Sequence, residues 1–308
     1  MKELNKKHGH IALFVANLIF GLNTPITRTI VPKVVDPFVM TFFRMIGAAI
    51  LFWTISIFTK QEKVPTKDIV LFFFAAVFAI VLNQTFFIYG LSKTSPIDAS
   101  LVITLVPIVT MVLSAIFIKE PITFKKAIGV IIGASGAMIL ILGGSNDSSS
   151  ASSLVGNLIV LSSVFSFAIY LSLFKDLISR YSPITAMKWM FLFATILTLP
   201  VSYKMFIQTD FASFDTSVIL RIGYVVVLAT FFTYMLIPIG QKTLRPTTVS
   251  MYNYLQPIVA SVATVIIGMD KFGVDKIISA VLVFFGVYLV TQSKSKADMQ
   301  SENRVKMD

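Results

Sequence analysis

Two long apolar passages of this chain repeat the same residues at the same spacing. The passage that begins at Pro96 reappears at Pro246, an offset of 150 residues. Other pairs at this offset are Gly90 and Gly240, Ser100 and Ser250, Pro107 and Pro257, Ile108 and Ile258, Glu120 and Asp270, and Gly136 and Gly286. Duplicated apolar halves are typical of membrane proteins whose functional site lies between the two repeats.

The composition indicates that lipid covers much of the surface. Hydrophobic residues make up 56% of the 308 residues and charged residues only 13%, about half the charged share of a soluble domain. The net charge of +11 would suggest a nucleic-acid partner in a soluble protein. Here the basic residues lie in short loops between apolar runs, so we expect a lipid bilayer and no nucleic acid.

The absence of cysteine excludes thiolate nucleophiles, disulfides and cysteine-based metal sites. Both histidines lie near the amino terminus, and the acidic residues are scattered at helix ends. An enzyme would need a nucleophile with a base, paired carboxylates or metal ligands at one depth. We therefore expect no enzyme activity, no cofactor and no metal site.

Ten apolar runs are each long enough, at about 20 residues, to cross a bilayer as a helix. They are residues 10–31, 37–58, 68–91, 97–118, 124–142, 154–174, 184–205, 218–240, 247–269 and 274–292. The pattern predicts an all-α polytopic membrane protein with ten transmembrane helices. We divide it into a first five-helix copy (1–146), a serine-rich linker (147–153), a second five-helix copy (154–293) and a charged tail (294–308).

The positions of lysine and arginine predict the orientation. One side of the predicted membrane carries 18 of these residues and the other carries 7, and Arg44 lies inside a span. Both termini are therefore expected in the cytoplasm, with the chain in the cell membrane. Because each copy has an odd number of spans, the second must enter from the opposite face. This predicts two inverted repeats related by a two-fold axis in the membrane plane.

Proline interrupts the middle of two equivalent spans. Pro107 and Pro257 lack an N–H and clash with the preceding turn, so the carbonyls of Ile103 and Asn253 lose their helical partners. Within lipid such a carbonyl must be satisfied by protein or by cavity water. We expect two helix kinks that border a substrate cavity, with a packed kink as the alternative.

Polar and aromatic side chains line up at helical spacing beside these kinks. Hydrogen bonding between helices is the alternative role for such residues, and it applies most to the serines and threonines. The candidate substrate-binding residues are Asn17, Asn23, Thr24, Asn83, Gln84, Phe87, Ser100, Thr104, Tyr170, Thr233, Tyr234, Tyr252, Asn253 and Gln256.

Arg44 is the charged side chain that lies well inside a predicted span. An ion at this depth faces protein or water, and is a functional candidate. It is suited to a substrate carboxylate or phosphate. Alternatively it extends to the nearby membrane surface or ties down backbone carbonyls. Glu120 and Asp270 lie at helix ends among lysines, where we expect solvated ion pairs.

Several short motifs follow one another along the chain: Phe20-Gly21-Leu22-Asn23, Phe43-Arg44 before Ala48-Ala49, Tyr89-Gly90-Leu91, Leu105-Val106-Pro107, Lys119-Glu120-Pro121 with Gly129, and Leu255-Gln256-Pro257 with Gly286. In this order they resemble the motifs of the EamA-type members of the drug/metabolite transporter superfamily. The second copy has Asp270 where this family usually has glutamate. The resemblance covers nearly the whole chain and implies transport of small metabolites through a central cavity by alternating access.

The expected cargo is a small amphipathic or amino-acid-like solute, because the predicted cavity lining is neutral, amide-rich and aromatic. Efflux is the expected direction, although the lining does not determine it. A nucleotide-sugar or sugar-phosphate exchanger is the alternative, and a channel is a further one. Phosphorylated cargo favours two or more clustered cations at depth, where this chain offers Arg44. The residues leave the coupling ion open, as well as the choice between monomer and homodimer.

The predicted topology is testable because the chain has no native cysteine. We expect a membrane-impermeant maleimide applied to intact cells to label Ser213→Cys, in the loop at 207–216. The same reagent is expected to reach Glu3→Cys and Ser301→Cys only after the cells are permeabilised. Termini on opposite sides of the membrane would contradict the prediction of ten spans.

Overall fold

Every regular element that the structure describes is a helix. The structure is a computed structural model, and it describes residues 5–93, 102–143, 154–266 and 274–294. The helices are α1 (Lys6–Ile30), α2 (Pro37–Ile57), α3 (66–93), α4 (Val106–Phe117), α5 (Phe124–Gly143), α6 (Leu154–Leu173), α7 (Lys175–Arg180), α8 (Pro183–Gln208), α9 (216–243), α10 (246–266) and α11 (Val274–Thr291). A 3₁₀ turn, Phe211–Ser213, precedes α9.

Three of these helices change type along their length. In α3 the α-helical segments Thr66–Ala76 and Asn83–Lys93 flank a π-helical segment, Val77–Leu82. In α9 the segments Thr216–Gly223 and Thr233–Thr243 flank the π-helical Tyr224–Phe232. In α10 a 3₁₀ turn, Tyr252–Tyr254, separates Pro246–Met251 from Leu255–Ile266.

The helices confirm a polytopic membrane protein. Six of them are long and apolar enough to cross a bilayer, and Val106–Phe117 and Ile277–Thr291 are shorter apolar helices. Each of the ten predicted runs overlaps a described helix. The predicted run 97–118 differs most, because a turn at Thr104 and Leu105 precedes α4. The predicted linker (147–153), the tail beyond Lys294 and Ser100 lie outside the described residues.

Short polar side chains fix where several helices begin. The side chain of Asn5 accepts a hydrogen bond from the backbone N–H of His8 at the start of α1. Asp36, Ser182 and Asp215 cap α2, α8 and α9 in the same way. Such caps satisfy N–H groups that have no partner within the helix, and they set the register in which each span enters the membrane.

The two copies interlock through pairs of equivalent contacts. Helix α3 of the first copy packs on α6 of the second, where Gly90 approaches Val160. Helix α9 of the second copy packs on α1 of the first, where Gly240 approaches Leu13. The offset of 147 that aligns Gly9 with Gly156 also aligns Leu13 with Val160. Helices of one copy therefore pack against helices of the other.

Helices α5 and α11 meet backbone to backbone across a local two-fold axis. A Cβ on Gly129 would lie 2.8 Å from the carbonyl oxygen of Gly286, and a Cβ on Gly136 would lie 2.9 Å from that of Ser279. These contacts exchange equivalent positions, because 129 corresponds to 279 and 136 to 286 at the offset of 150. The residue numbers of the contacts rise along α5 from 129 to 136 while they fall along α11 from 286 to 279. The two helices are therefore antiparallel.

The bundle has two ends that differ in chemistry. We call the end with residues 58–65, 118–123, 174–182 and 244–245 the basic end, since these segments carry Lys60, Lys63, Lys119, Lys175, Arg180 and Arg245. At the opposite end, which holds residues 31–36 and 209–215, the two copies meet through an apolar cluster. This cluster contains Ile30, Val35, Val39, Met40, Val218 and Val225, with Phe43, Phe206 and Phe214 packed against it. The ring of Phe211 packs on those of Phe206 and Phe214.

We expect Gly286→Ala to lower the thermal stability of the protein in detergent. The new Cβ would lie 2.5 Å from the carbonyl oxygen of Gly129 and 2.7 Å from the backbone nitrogen of Gly133, so α5 and α11 must separate. Overpacking of this kind costs about 1–3 kcal/mol. The measurement is the apparent Tm followed by fluorescence-detected size-exclusion chromatography.

Gly223→Ala is the matched control, since a Cβ there meets nothing within 4 Å. It should leave the apparent Tm unchanged or raise it, because alanine favours helix over glycine. Equal Tm values for the Gly286 variant and the wild type would contradict the close helix contact.

Candidate functional site

A buried polar network joins three helices around Arg44. The Arg44 side chain, which is 5% exposed, donates from Nε to the Thr230 hydroxyl at 2.8 Å and from Nη1 to Oε1 of Gln84 at 2.8 Å. Gln84 in turn donates to the Tyr234 hydroxyl at 2.9 Å. Arg44 lies on α2, Gln84 on α3, and Thr230 and Tyr234 on α9. The guanidinium therefore lies within the protein and does not extend to the membrane surface.

Two hydrogen bonds in the interior join residues that are equivalent in the two copies. Gln84 and Tyr234 differ by 150 positions and are bonded to each other. Tyr254 donates to the carbonyl oxygen of Thr104 at 3.0 Å, again across 150 positions. A residue contacts its own equivalent only next to a two-fold axis. The Gln84–Tyr234 pair therefore lies where the two copies converge.

The π-helical segments of α3 and α9 end directly before this network. Leu82 closes the first segment and Phe232 the second, and these positions again differ by 150. A π segment holds extra residues per turn and is frequent at functional sites. It leaves Asn83 and Gln84 in α3, and Thr233 and Tyr234 in α9, at the start of the next α-helical turn.

Amide side chains form a second polar cluster between α1 and α10. Gln256 donates to Oδ1 of Asn17 at 2.8 Å and approaches Oδ1 of Asn253 at 3.4 Å. Asn17 also donates to the carbonyl oxygen of Leu13 at 2.8 Å. Gly21 allows this approach, because a Cβ there would lie 3.0 Å from the carbonyl oxygen of Gln256. The structure thus brings three of the predicted binding residues together.

An aromatic contact joins α1, the helix that carries Asn17, to the Arg44 network. The rings of Phe20 on α1 and Tyr234 on α9 pack edge to face with centroids 6.4 Å apart, and Phe191 packs against the other side of Tyr234 at 5.0 Å. Tyr234 therefore has an apolar ring between aromatic neighbours and a polar hydroxyl in the Arg44 network. Such a residue can contact both parts of an amphipathic ligand.

The helices change geometry next to both predicted kinks. Pro107 follows the turn at Thr104 and Leu105, and Pro257 follows the 3₁₀ turn Tyr252–Tyr254. Both prolines thus begin a new α-helical segment, as expected for a residue without an N–H donor.

Two predicted tyrosines lie nearer the basic end, in separate contacts. The buried Tyr170 hydroxyl donates to Oε1 of Gln241 at 2.8 Å, and Nε2 of Gln241 has no partner among the described residues. The Tyr252 hydroxyl is 2.7 Å from Nδ1 of His10.

Other predicted residues make local contacts or lie outside the part of the chain that the structure describes. Asn83 donates to the carbonyl oxygen of Ser163 at 3.0 Å, and the Thr233 hydroxyl donates to that of Ala229 at 3.0 Å. Asn23 accepts from Thr27 at 3.2 Å. Phe87 is half-buried. The side chain of Thr24 is outside the described part of the chain, as is all of Ser100.

At the basic end, acidic residues of the first copy bind groups of the second. Asp68, 5% exposed, accepts from the Tyr181 hydroxyl at 2.5 Å and pairs with Arg180 at 2.9 Å. Burial together with this hydrogen bond raises the pKa of Tyr181. Glu62 accepts from the backbone N–H and hydroxyl of Ser182 at 2.9 and 2.8 Å.

The hydrogen bonds to Glu62 also govern its charge. Burial alone would raise the pKa of the carboxyl, but hydrogen bonds from Thr185 and Ser182, together with the charge of Lys242, lower it overall. The ionised carboxylate is thus favoured at the start of α8, where the N–H groups of a helix attract negative charge.

The expectation of a solvated ion pair at Glu120 was wrong. Glu120 is 7% exposed and pairs at 2.7 Å with Lys126, which is fully buried. Arg245 and Thr247 of the second copy approach the same carboxylate at 3.9 and 3.5 Å. Lys126 lies six positions beyond Glu120 in the next helix, so the chain reversal before α5 brings the two together. Asp270 lies outside the described residues.

An apolar groove opens on the outer surface of the bundle. It has a volume of about 460 Å³ and lies between α1, α10 and α11. Its lining comprises Phe14, Leu18, Leu22, Leu255, Ile258, Val259, Val262, Ala263, Ile266 and Phe284. Because this lining has no polar side chain, the groove is distinct from the two polar clusters.

Several residues in these contacts were missing from the predicted site. Thr230 lies one helical turn before Tyr234, so its spacing on α9 was a usable signal. Gln241 lies beyond the mid-depth region on which the prediction concentrated. Asp68, Lys126 and Tyr181 lie at helix ends, where sequence alone does not show which charges are buried.

Several known proteins are similar in sequence to this chain over most of its length. An uncharacterized transporter of Archaeoglobus fulgidus is 27% identical over 264 residues, covering 85% of this chain and 91% of that protein. The uncharacterized transporter YyaM of Bacillus subtilis is 23% identical, covering 90% and 93%. A WAT1-related protein of Arabidopsis thaliana is 21% identical, covering 93% and 84%.

The chain also matches a solved crystal structure and a family model. The crystal structure matches with a TM-score of 0.75 over 92% of this chain and 96% of its own, at 16% identity, and so supports the fold. The family model matches twice, at residues 7–142 and 154–292. The chain is therefore a membrane transporter of the drug/metabolite transporter superfamily, not an enzyme, and belongs to the EamA-like transporter family.

Proposed function

We propose that this protein carries small amphipathic or amino-acid-like metabolites out of the cell by alternating access. Its substrate site would lie between the copies, where the Arg44 network and the amide cluster around Gln256 meet across Tyr234. The observation that carries the proposal is the hydrogen bond between the equivalent residues Gln84 and Tyr234. This contact between equivalent positions supports a polar site beside the axis that relates the copies.

The proposed architecture is ten spans in two inverted five-helix repeats, 1–146 and 154–293. The antiparallel contacts of Gly129 with Gly286 and of Gly136 with Ser279 support an axis perpendicular to these helices. The double match of the family model supports the duplication. Under this proposal the axis lies in the membrane plane, and both termini lie in the cytoplasm at the basic end.

Alternating access requires that each end of the bundle open while the other is closed. At the basic end the copies are joined by the carboxylates of Asp68, Glu62 and Glu120. At the opposite end they pack mainly through apolar and aromatic side chains. Ionic contacts at one end and apolar packing at the other would provide two closures that break separately.

The chemistry of the polar clusters favours small solutes with few charges. Amides, hydroxyls and aromatic rings are abundant, and Arg44 is the charge at depth within the described residues. A nucleotide-sugar or sugar-phosphate exchanger is the second candidate, and Arg44 is the observation that favours it.

The direct test is counterflow in proteoliposomes that contain the purified protein. Metabolites that raise its apparent Tm are loaded inside, and entry of labelled metabolite is followed. Binding to the folded state raises stability by mass action. Saturable counterflow supports a carrier, whereas flux that does not saturate supports a channel. Substrate turnover by the protein in detergent would contradict the assignment as a transporter.

We expect Gln256→Leu and Asn253→Leu to weaken transport without lowering the yield of folded protein. Each removes one polar contact to the substrate, worth about 0.5–1.5 kcal/mol. The half-saturation concentration in counterflow should therefore rise by about threefold or more.

Gln208→Leu is the matched control, because Gln208 is exposed at the end of α8. It should leave transport unchanged. Normal kinetics in both the Gln256 and Asn253 variants would remove these residues from the site.

We expect the double variant Asp68→Asn with Arg245→Gln to open the basic end more often. Both changes weaken contacts between the copies, each worth up to about 1 kcal/mol when partly solvated. The reporter is Ser114→Cys, which is buried near this end. A maleimide applied from the basic side should label this cysteine faster than in the unmodified background, by roughly two- to fivefold for each of the two contacts that is weakened.

Arg221→Gln in the same reporter background is the control, since Arg221 lies near the opposite end. Equal labelling rates in the double variant and the unmodified background would contradict a closure at the basic end.

A further inference from the structure

Arg44 is a buried cation without an acidic partner in the described residues. The ion pairs in this part of the chain join Lys126 with Glu120, Arg180 with Asp68, and Arg245 with Glu120. Arg44 contacts the neutral groups of Thr230 and Gln84. A buried charge is costly unless it is paired. The network therefore lacks one negative charge.

The groups around Arg44 are also rich in donors. A guanidinium has five N–H donors, and the described contacts use one on Nε and one on Nη1. The Tyr234 hydroxyl accepts from Gln84, and its own proton has no acceptor among the described residues. Thr230 already donates to the carbonyl oxygen of Val225 at 2.7 Å. The remaining donors of Arg44 and Tyr234 suit an acceptor that carries negative charge.

Joining α2 to α3 and α9 would not in itself require a charge. A neutral amide on α2 could serve the same two acceptors without the cost of burying an ion. The second copy has no charge at the equivalent position. The offset of 146 that aligns Pro37 with Pro183 makes Met190 the equivalent of Arg44, and Met190 is fully buried. The charge is thus specific to one side of the axis.

We infer that Arg44 binds a carboxylate of the transported metabolite, with the Tyr234 hydroxyl as a second donor. This inference rests on the proposed function and specifies its substrate class as monocarboxylates. The carboxylate supplies the missing charge, and its two oxygens fit the planar N–H pairs of a guanidinium. Because Met190 replaces Arg44 in the second copy, the substrate binds with its carboxylate toward α2.

A single cation suits a ligand group with one negative charge, such as the carboxylate of an amino acid. A phosphate monoester carries close to two negative charges at neutral pH, and one guanidinium cannot balance both. The described residues offer no second cation in contact with the network. Phosphorylated metabolites should therefore bind weakly.

The experiment compares probes that differ only at the carboxylate. The full-length protein is tested by thermal shift and counterflow against a panel of neutral L-amino acids, the matching amino-acid amides, and glucose 6-phosphate. We expect at least one amino acid to bind about tenfold or more tightly than its amide, since a charge-assisted hydrogen bond is lost. We expect no binding of the sugar phosphate.

Three variants separate recognition from helix packing. Arg44→Gln should reduce the preference for acid over amide to about onefold while leaving amide binding unchanged, and Arg44→Lys should retain part of it. Tyr234→Phe keeps the ring and removes the hydroxyl, so it should lower acid binding by a few-fold even where Arg44→Gln fails to fold. Arg221→Gln is the matched control and should keep the wild-type preference.

Two outcomes overturn the inference while the proposed function stands. One is a wild type that transports panel members without distinguishing acid from amide. The other is a set of Arg44 and Tyr234 variants that lose acid and amide binding equally, which marks a packing role. Preference for glucose 6-phosphate overturns it in favour of a phosphate site. A wild type that binds and exchanges no panel member overturns the proposed substrate class, and this inference with it.

Discussion

A peptide group inside hydrocarbon has no water to bind, so its N–H and C=O must find partners within the protein. This constraint explains why helices alone occur in the described residues. It also limits where a helix can depart from the regular α form. The departures near the π segments and near Pro107 and Pro257 face other helices of the bundle, where protein groups lie close by. The carbonyl oxygen of Thr104, for example, accepts a hydrogen bond from the Tyr254 hydroxyl. Irregular backbone and polar side chains therefore concentrate in the interior.

The two copies share a backbone plan but differ in chemistry. Glycines recur at equivalent positions because close helix packing needs them in both halves. Several polar residues of the interior do not recur. Gln84 corresponds to Tyr234, Arg44 to Met190, and Gln256 to Val106. A symmetric frame thus encloses an asymmetric interior, in which the two sides of the axis present different side chains.

Much of the fold was predictable because lipid imposes a simple rule on sequence. A run of about 20 apolar residues is a helix, and each predicted run overlaps a described helix. The fixed offset made the duplication visible. The grouping of Asn17 with Gln256 and of Gln84 with Tyr234 was partly predictable, since helical spacing sets which residues share a face. Their pairing partners were not, because helix–helix contacts are distant in sequence. The burial of Lys126 and Asp68 depends on chain reversals that composition does not encode.

The matching ends of the π segments, at Leu82 and Phe232, link the length of each helix to the direction of its polar side chains. A π turn accommodates one extra residue in an α-helix, and without that residue everything beyond it would be rotated by about 100°. Removing one residue from either segment would therefore turn Gln84 and Tyr234 away from each other. The number of residues in these helices thus decides which side chains meet, independently of the residue types.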